Sequence, residues 1–202
     1  MNLLQILAIC GMLSPILYTA MWILGGILLP DYSHIRDDIS SLMAVGAPRK
    51  RVFDSFLITS SVLLFVFYLG LPWGINNGQG SIVGPILFLI SGFLGMLVAL
   101  FFPLDEGGEI TSYRGKMHLA LVFGSGLLLI AGMVVVWFEL AGVAVWNSFA
   151  MYSLISAIVA LVLMIISGIF IRSSYRGLLE RLGVSTFMLY YFALALMVFL
   201  TN

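Results

Sequence analysis

The feature that most restricts the fold is a series of six long apolar runs, and none of them carries Lys, Arg, Asp, Glu or His in its central stretch. A helix needs about 20 apolar residues to cross the hydrocarbon core of a bilayer, and it satisfies its own backbone hydrogen bonds there. Barrel strands would alternate in polarity, and these runs do not. We therefore predict an all-α fold, a polytopic membrane bundle of six transmembrane helices forming a single integral membrane domain over 1–202. The predicted spans are 4–29, 52–71, 82–102, 117–138, 145–171 and 183–200.

Composition is typical of a membrane protein. Hydrophobic residues make up 62% of the chain and charged residues 9%, whereas soluble domains carry about 25% charged residues. The formal net charge is zero, so no long-range field draws the chain to nucleic acid or to acidic partners. We expect membrane lipids as partners and no nucleic acid. No basic segment precedes the first run, which is also longer than a signal-peptide core, so it is predicted to be a retained helix. The lone Cys10 cannot form an internal disulfide and is predicted to be a packing residue.

Basic residues are confined to one side of this topology. All nine Lys and Arg residues lie in the odd-numbered connections or at the adjoining helix ends. Because short cytoplasmic loops carry the excess of Lys and Arg, the odd connections are predicted to face the cytoplasm and both termini to lie outside the plasma membrane. Eight of the nine acidic residues share the basic side, so any polar chemistry is expected there.

The first connection is the longest and the most polar. Asp37 or Asp38 can cap a short helix, and the apolar residues that follow are spaced by three and four, as on one helix face. We predict a short amphipathic helix at the cytoplasmic interface, with Ser40, Ser41 and Asp38 on its polar face. A simple interfacial elbow is the alternative. The apolar residues in question are Ile39, Leu42 and Met43.

The third connection places two ionisable residues on either side of one helical hairpin. Asp105 follows Pro103, and His118 lies at the start of the fourth span. An ionisable group at that depth is costly unless it is paired, so Asp105 and His118 are candidates for a pair. Such a pair suits a general base, a metal site or a headgroup clamp. The alternative is a structural link that fixes the hairpin.

The fifth connection combines an acid with several arginines. Glu180 follows Arg176 by four residues, a spacing that permits an ion pair on a helix. Arg114, Arg176 and Arg181 are candidates for anchoring anionic headgroups. Their position on the basic side is also explained by membrane topology alone. No Cys and His cluster has the spacing of a zinc site, and the sequence assigns no cofactor.

Three motifs suggest a family. They are Ile39-Ser40-Ser41-Leu42 followed by Gly46-Ala47-Pro48, then Phe102-Pro103-Leu104-Asp105 with His118, and finally Gly177-Leu178-Leu179-Glu180-Arg181. With these motifs the chain resembles prokaryotic six-helix membrane proteins known as domain of unknown function nine-nine-eight. The resemblance implies a fold and no activity.

Two more distant likenesses bear on function. At the level of fold the family is similar to eukaryotic multi-helix proteins connected with lipid remodelling and autophagy, an analogy that assigns no activity. Membrane hydrolases that use a serine, an aspartate and three histidines on zinc are a second comparison. The present chain departs from them because it lacks paired histidines near its C-terminus.

The hypothesis favoured by these observations is the binding or handling of a lipid or amphiphile at a polar site on the cytoplasmic leaflet. One alternative is a transporter of a small neutral solute, since the membrane midplane offers hydroxyl groups and no ionisable groups. Another is a non-catalytic subunit of a membrane complex. The candidate site residues are His34, Asp38, Ser40, Asp105, His118 and Glu180.

Overall fold

A computed structural model describes all residues 1–202 and contains six long helices and no strand. All six are long and apolar enough to cross a membrane, so the predicted multi-pass helical bundle is confirmed. Helix α6 begins seven residues before the predicted span, because the polar segment from Arg176 onward is also helical. The helices are α1 Leu3–Leu28, α2 Lys50–Gly74, α3 Val83–Phe101, α4 Tyr113–Leu140, α5 Asn147–Ile169 and α6 Arg176–Thr201.

The helices form a closed ring. Each helix packs against its neighbours in the chain, and α1 packs against α6 to complete the circle. Short connections favour this antiparallel arrangement of successive helices. We call the end that carries residues 29–49, 102–112 and 170–175 the basic end, and the opposite end the terminal end. The two termini meet at the terminal end, where the Asn2 side chain donates a 2.7 Å hydrogen bond to the Asn202 carbonyl.

Large side chains fill the terminal half of the ring. The Tyr190 ring packs against neighbouring aromatic rings, and Ser153 lies 2.8 Å from its hydroxyl. Polar groups that are hydrogen-bonded to each other in this way can be buried at little cost. This layer closes the interior of the bundle on one side. Its largest buried members are Phe67, Tyr68, Leu71, Phe88, Leu129, Met133, Trp146 and Tyr190.

The basic half of the ring is covered by the connections. Residues Ile39–Met43 form a five-residue 3₁₀ helix. Its apolar side chains are buried with Met21 of α1 and Phe53 of α2 in a second, smaller core. Gly46, at a φ of 75°, turns the chain shortly afterwards, which limits the segment to little more than one turn. The predicted amphipathic helix is therefore not confirmed, and the position of the segment at a membrane surface remains a prediction.

Candidate functional site

A cavity of about 180 Å³ lies between α4, α5 and α6 beneath the first and third connections. We call it the α4–α6 cavity. Most of its wall is apolar, and its polar groups belong to the covering connections and the nearby helix ends. Four of the six residues predicted for the site line it, together with Arg176. The polar lining comprises Asp38, Ser40, His118, Ser167, Arg176 and Glu180, and the apolar lining includes Leu119, Val122, Phe123, Met164 and Phe187.

A second cavity of about 270 Å³ extends toward α1, α2 and α3, and we call it the central cavity. Tyr191 and Leu129 line it on the side of the aromatic layer. Ser40, His118 and Glu180 line both cavities. These three side chains therefore mark the place where the two cavities meet.

The His118 ring is oriented by a main-chain carbonyl. Its Nδ1 lies 2.7 Å from the Phe102 carbonyl oxygen at the end of α3. Because a carbonyl only accepts, the neutral ring carries its proton on Nδ1, and Nε2 keeps a free lone pair. No protein group forms a hydrogen bond to Nε2. His118 therefore presents a hydrogen-bond acceptor where the cavities meet.

Glu180 is held by the 3₁₀ helix of the first connection. The Ile39 N–H donates to its Oε2, and the Ser40 hydroxyl lies 3.4 Å from its Oε1. A carboxylate at the start of a helical turn satisfies N–H groups that have no partner within the turn. The predicted pair between Glu180 and Arg176 is wrong, because Arg176 instead contacts Asp38 of the first connection at 3.5 Å.

Asp38 and Arg176 lie together at the polar end of the α4–α6 cavity. The Arg176 Nε also donates a 3.2 Å hydrogen bond to the Arg36 carbonyl. Burial raises the pKa of the Asp38 carboxyl, and the positive charges of Arg176 and Arg181 partly offset this effect. Arg176 is thus shared between a carboxylate and a carbonyl of the first connection.

Arg181 fastens the first connection to α6. Its Nη1 lies 2.7 Å from the His34 carbonyl, 2.8 Å from the Asp37 carbonyl and 2.7 Å from the Gly177 carbonyl. Its Nη2 donates to the Tyr32 hydroxyl. The guanidinium lies 5.5 Å from the Trp22 ring centre and 5.4 Å from that of Tyr32, as in cation–π contacts.

The chain around Arg181 is fitted to this contact. A side chain at Gly177 would collide with the Asp37 carbonyl, so only glycine allows the connection to approach α6 there. The Leu178 N–H then donates a 3.0 Å hydrogen bond to the Ile35 carbonyl. Arg181 is 5% exposed. It is therefore unsuited to the headgroup anchoring that the sequence suggested.

His34 lies outside both cavities. Its ring packs edge-on against Trp22 and Tyr32, with centres 5.5 Å apart in each case, and it rests on Gly26. Burial, together with the charge of Arg181, lowers the pKa of His34. The structure thus separates His34 from the other candidates of the first connection, Asp38 and Ser40.

Asp105 does not meet His118, so the predicted pair is wrong. Its carboxylate accepts hydrogen bonds from the Ser112 N–H at 2.9 Å, the Ser112 hydroxyl at 2.6 Å and the Thr111 N–H at 3.2 Å. Arg114 adds an ion pair at 2.8 Å, with its side chain 41% exposed. The unpaired N–H groups before α4 attract the carboxylate, while the free carbonyl at the end of α3 takes the imidazole.

The remaining parts of the site carry no signal in the sequence. The apolar cavity wall comes from three helices, and no motif marks it. Tyr32 and Trp22, which enclose Arg181, were not predicted either. No group of three or more His, Cys, Asp or Glu side chains is arranged to hold a metal ion.

We predict that Arg181→Lys lowers the free energy of unfolding by about 2 kcal/mol or more. A lysine ammonium cannot serve the carbonyls and the Tyr32 hydroxyl together, nor stack on the two rings. Unfolding in mixed detergents measures the loss, and hydrogen exchange at the Leu178 amide should quicken. Arg172→Lys is the matched control, since Arg172 is exposed and forms no hydrogen bond. Equal stability of the two variants would contradict this role for Arg181.

Asp105 should make stability depend on pH. Hydrogen bonds from Ser112, and then the Arg114 contact, hold the pKa of its carboxyl far below the usual range. Its contribution is therefore complete above the unfolded-chain pKa of about 3.9 and is lost as the pH falls toward the folded value. Thermal unfolding between about pH 6 and pH 3 should show this decline in the natural protein and a flatter profile for Asp105→Asn. Glu109→Gln, at an exposed position, should keep the natural profile. An equal decline in Asp105→Asn would refute the assignment.

Comparison with known proteins identifies a family. No curated protein and no solved structure matches the chain. Over residues 12–197, the sequence matches the model of the family described as "Protein of unknown function (DUF998)". This match covers nearly the whole bundle and confirms the resemblance found in the sequence motifs. The chain belongs to this family.

Proposed function

We propose that this protein binds a lipid or another amphiphile in the α4–α6 cavity. The observation that supports the proposal is the division of the cavity wall into a polar end and an apolar remainder. The polar group of the ligand would lie beside His118, Glu180 and Ser40, and its apolar part between α4, α5 and α6. Binding sites for small ligands commonly combine an apolar wall with a few placed polar groups.

The polar end must supply most of the selectivity. A hydrocarbon tail in a bilayer is already in an apolar solvent, so moving it into an apolar cavity gains little free energy. A polar group gains more, because an unpaired polar atom in apolar surroundings costs several kcal/mol. The ligand is therefore expected to be recognised by its polar group.

The aromatic layer supports binding in preference to conduction. Tyr191 and Leu129 bound the central cavity toward the terminal end, and large buried side chains fill the bundle beyond them. A solute crossing the bundle would have to displace this packed layer, which is costly in a well-packed core. Flux of a neutral solute into liposomes in proportion to the amount of protein would favour transport instead.

We also propose that the basic end faces the cytoplasm, because all nine Lys and Arg residues lie at or near that end. His118 and Glu180, which line both cavities, lie at this end, so the ligand would be taken from the cytoplasmic leaflet.

Filling the α4–α6 cavity should abolish binding. Gly183 lines this cavity, and a Cβ there would lie 4.0 Å from Leu163, so a leucine side chain can extend into the space. Native mass spectrometry of protein released from mild detergent should show a bound lipid that Gly183→Leu loses. Gly124→Leu is the matched control on α4, because no atom lies within 4 Å of a Cβ there and Gly124 does not line the cavity. Identical adducts in both variants would refute the proposed location.

Orientation is tested by labelling single cysteines in a Cys10→Ala background. An impermeant maleimide applied to intact cells should label Gln79→Cys, in the second connection, and should label Glu106→Cys, in the third, only after lysis. Both positions are exposed. The reverse pattern would overturn the proposed orientation.

A further inference from the structure

We propose that the ligand's polar group is a hydrogen-bond donor without negative charge, an amine or an alcohol, rather than a phosphate or a carboxylate. This inference rests on the proposed binding function and specifies the chemical class of the ligand. It follows from the donors and acceptors at the junction of the two cavities, taken one group at a time.

His118 offers an acceptor. Its Nδ1–H is committed to the Phe102 carbonyl at 2.7 Å, which leaves the Nε2 lone pair for a ligand. The ring is 8% exposed and lines both cavities, so water has little access to it. A buried acceptor of this kind favours a ligand O–H or N–H.

Glu180 offers acceptor capacity, and its ionised form adds negative charge. The Ile39 N–H and the Ser40 hydroxyl use one position on each carboxylate oxygen, whereas a carboxylate has about four lone-pair positions. The Ser40 proton is directed at Glu180, so Ser40 also presents its oxygen to the cavity. Three neighbouring side chains therefore present acceptors at the junction of the cavities.

The arginines do not reverse this balance. Arg181 is directed at the carbonyls of the first connection and does not line either cavity. Arg176 lines the α4–α6 cavity but not the central cavity, so it lies away from their junction, and its Nε contacts Asp38 at 3.5 Å and donates a 3.2 Å hydrogen bond to the Arg36 carbonyl. The three polar groups at the junction of the cavities are therefore presented as acceptors, and a ligand carboxylate or phosphate placed beside them would find no donor there.

A matched series of probes tests the inference. Dodecylamine, dodecanol and dodecanoate share one tail and differ in the polar group. Binding of each radiolabelled compound is measured to the full-length protein in phosphatidylcholine nanodiscs, with empty nanodiscs subtracted. We expect the amine and the alcohol to bind at least about tenfold more tightly than dodecanoate, as for one charge-assisted hydrogen bond. Gly183→Leu should abolish binding of all three.

Two variants separate charge from acceptor capacity. Glu180→Gln keeps a carbonyl oxygen for the Ile39 N–H and removes the charge, so the amine should lose about tenfold in affinity while dodecanol changes little. His118→Asn keeps a donor for the Phe102 carbonyl and removes the Nε2 lone pair, so both donors should bind more weakly. The histidine variant also keeps the inference testable if Glu180→Gln does not fold.

The outcomes distinguish this inference from the proposed function. Dodecanoate binding as tightly as dodecylamine, and lost in Gly183→Leu, would overturn the donor class and leave binding in the cavity intact. Equal affinity of dodecylamine for the natural protein and for both polar variants would also overturn the donor class. Binding of all three probes that is unchanged by Gly183→Leu would instead overturn the proposed function.

Discussion

The arrangement of the basic end depends on the contact between Arg181 and the backbone of the first connection. Removing a guanidinium from water is expensive unless its donors find partners. Here three carbonyls and a tyrosine hydroxyl accept hydrogen bonds from the two terminal nitrogens, and two aromatic rings lie beside the group, while Nε has no partner. The contact holds residues 34–37 against α6. The next residues of the chain, Ile39 and Ser40, are then placed on Glu180. The polar end of the cavity is therefore a consequence of how one loop is fastened.

The interior of the bundle is closely packed in the terminal half and contains cavities in the basic half. In the terminal half, aromatic rings such as Tyr68, Phe88 and Tyr190 contact one another and fill the ring of helices. In the basic half, Gly126 and Gly183 occupy positions where larger side chains would reduce the cavities. Helices in lipid associate by close packing rather than by a hydrophobic driving force, so the filled half is positioned to stabilise the ring. The open half retains the cavities in which we propose that a ligand binds.

The sequence predicts the spans well because each depends on a local property, the length of an apolar run. It also singles out Asp38, Ser40, His118 and Glu180, because polar residues next to membrane spans must be satisfied somewhere, and the structure places these four on the wall of the α4–α6 cavity. The partners of these residues were harder to predict. Asp105 and His118 each bind backbone groups exposed at helix ends, and Arg181 binds loop carbonyls. Main-chain groups are present at every residue, so no pattern of side chains reveals which N–H or carbonyl group will form the hydrogen bond.

One turn of α6 both contacts the first connection and contributes to the cavity wall. Gly177 and Arg181 are four residues apart and share the helix face that receives the first connection. Glu180 is rotated by about 100° from Arg181 and faces the cavities instead. Its carboxylate nevertheless accepts the N–H that begins the 3₁₀ helix. A ligand that donates to Glu180 would therefore share this carboxylate with the first connection. Ligand binding would then compete for, or add to, the hydrogen bonds that Glu180 accepts from Ile39 and Ser40.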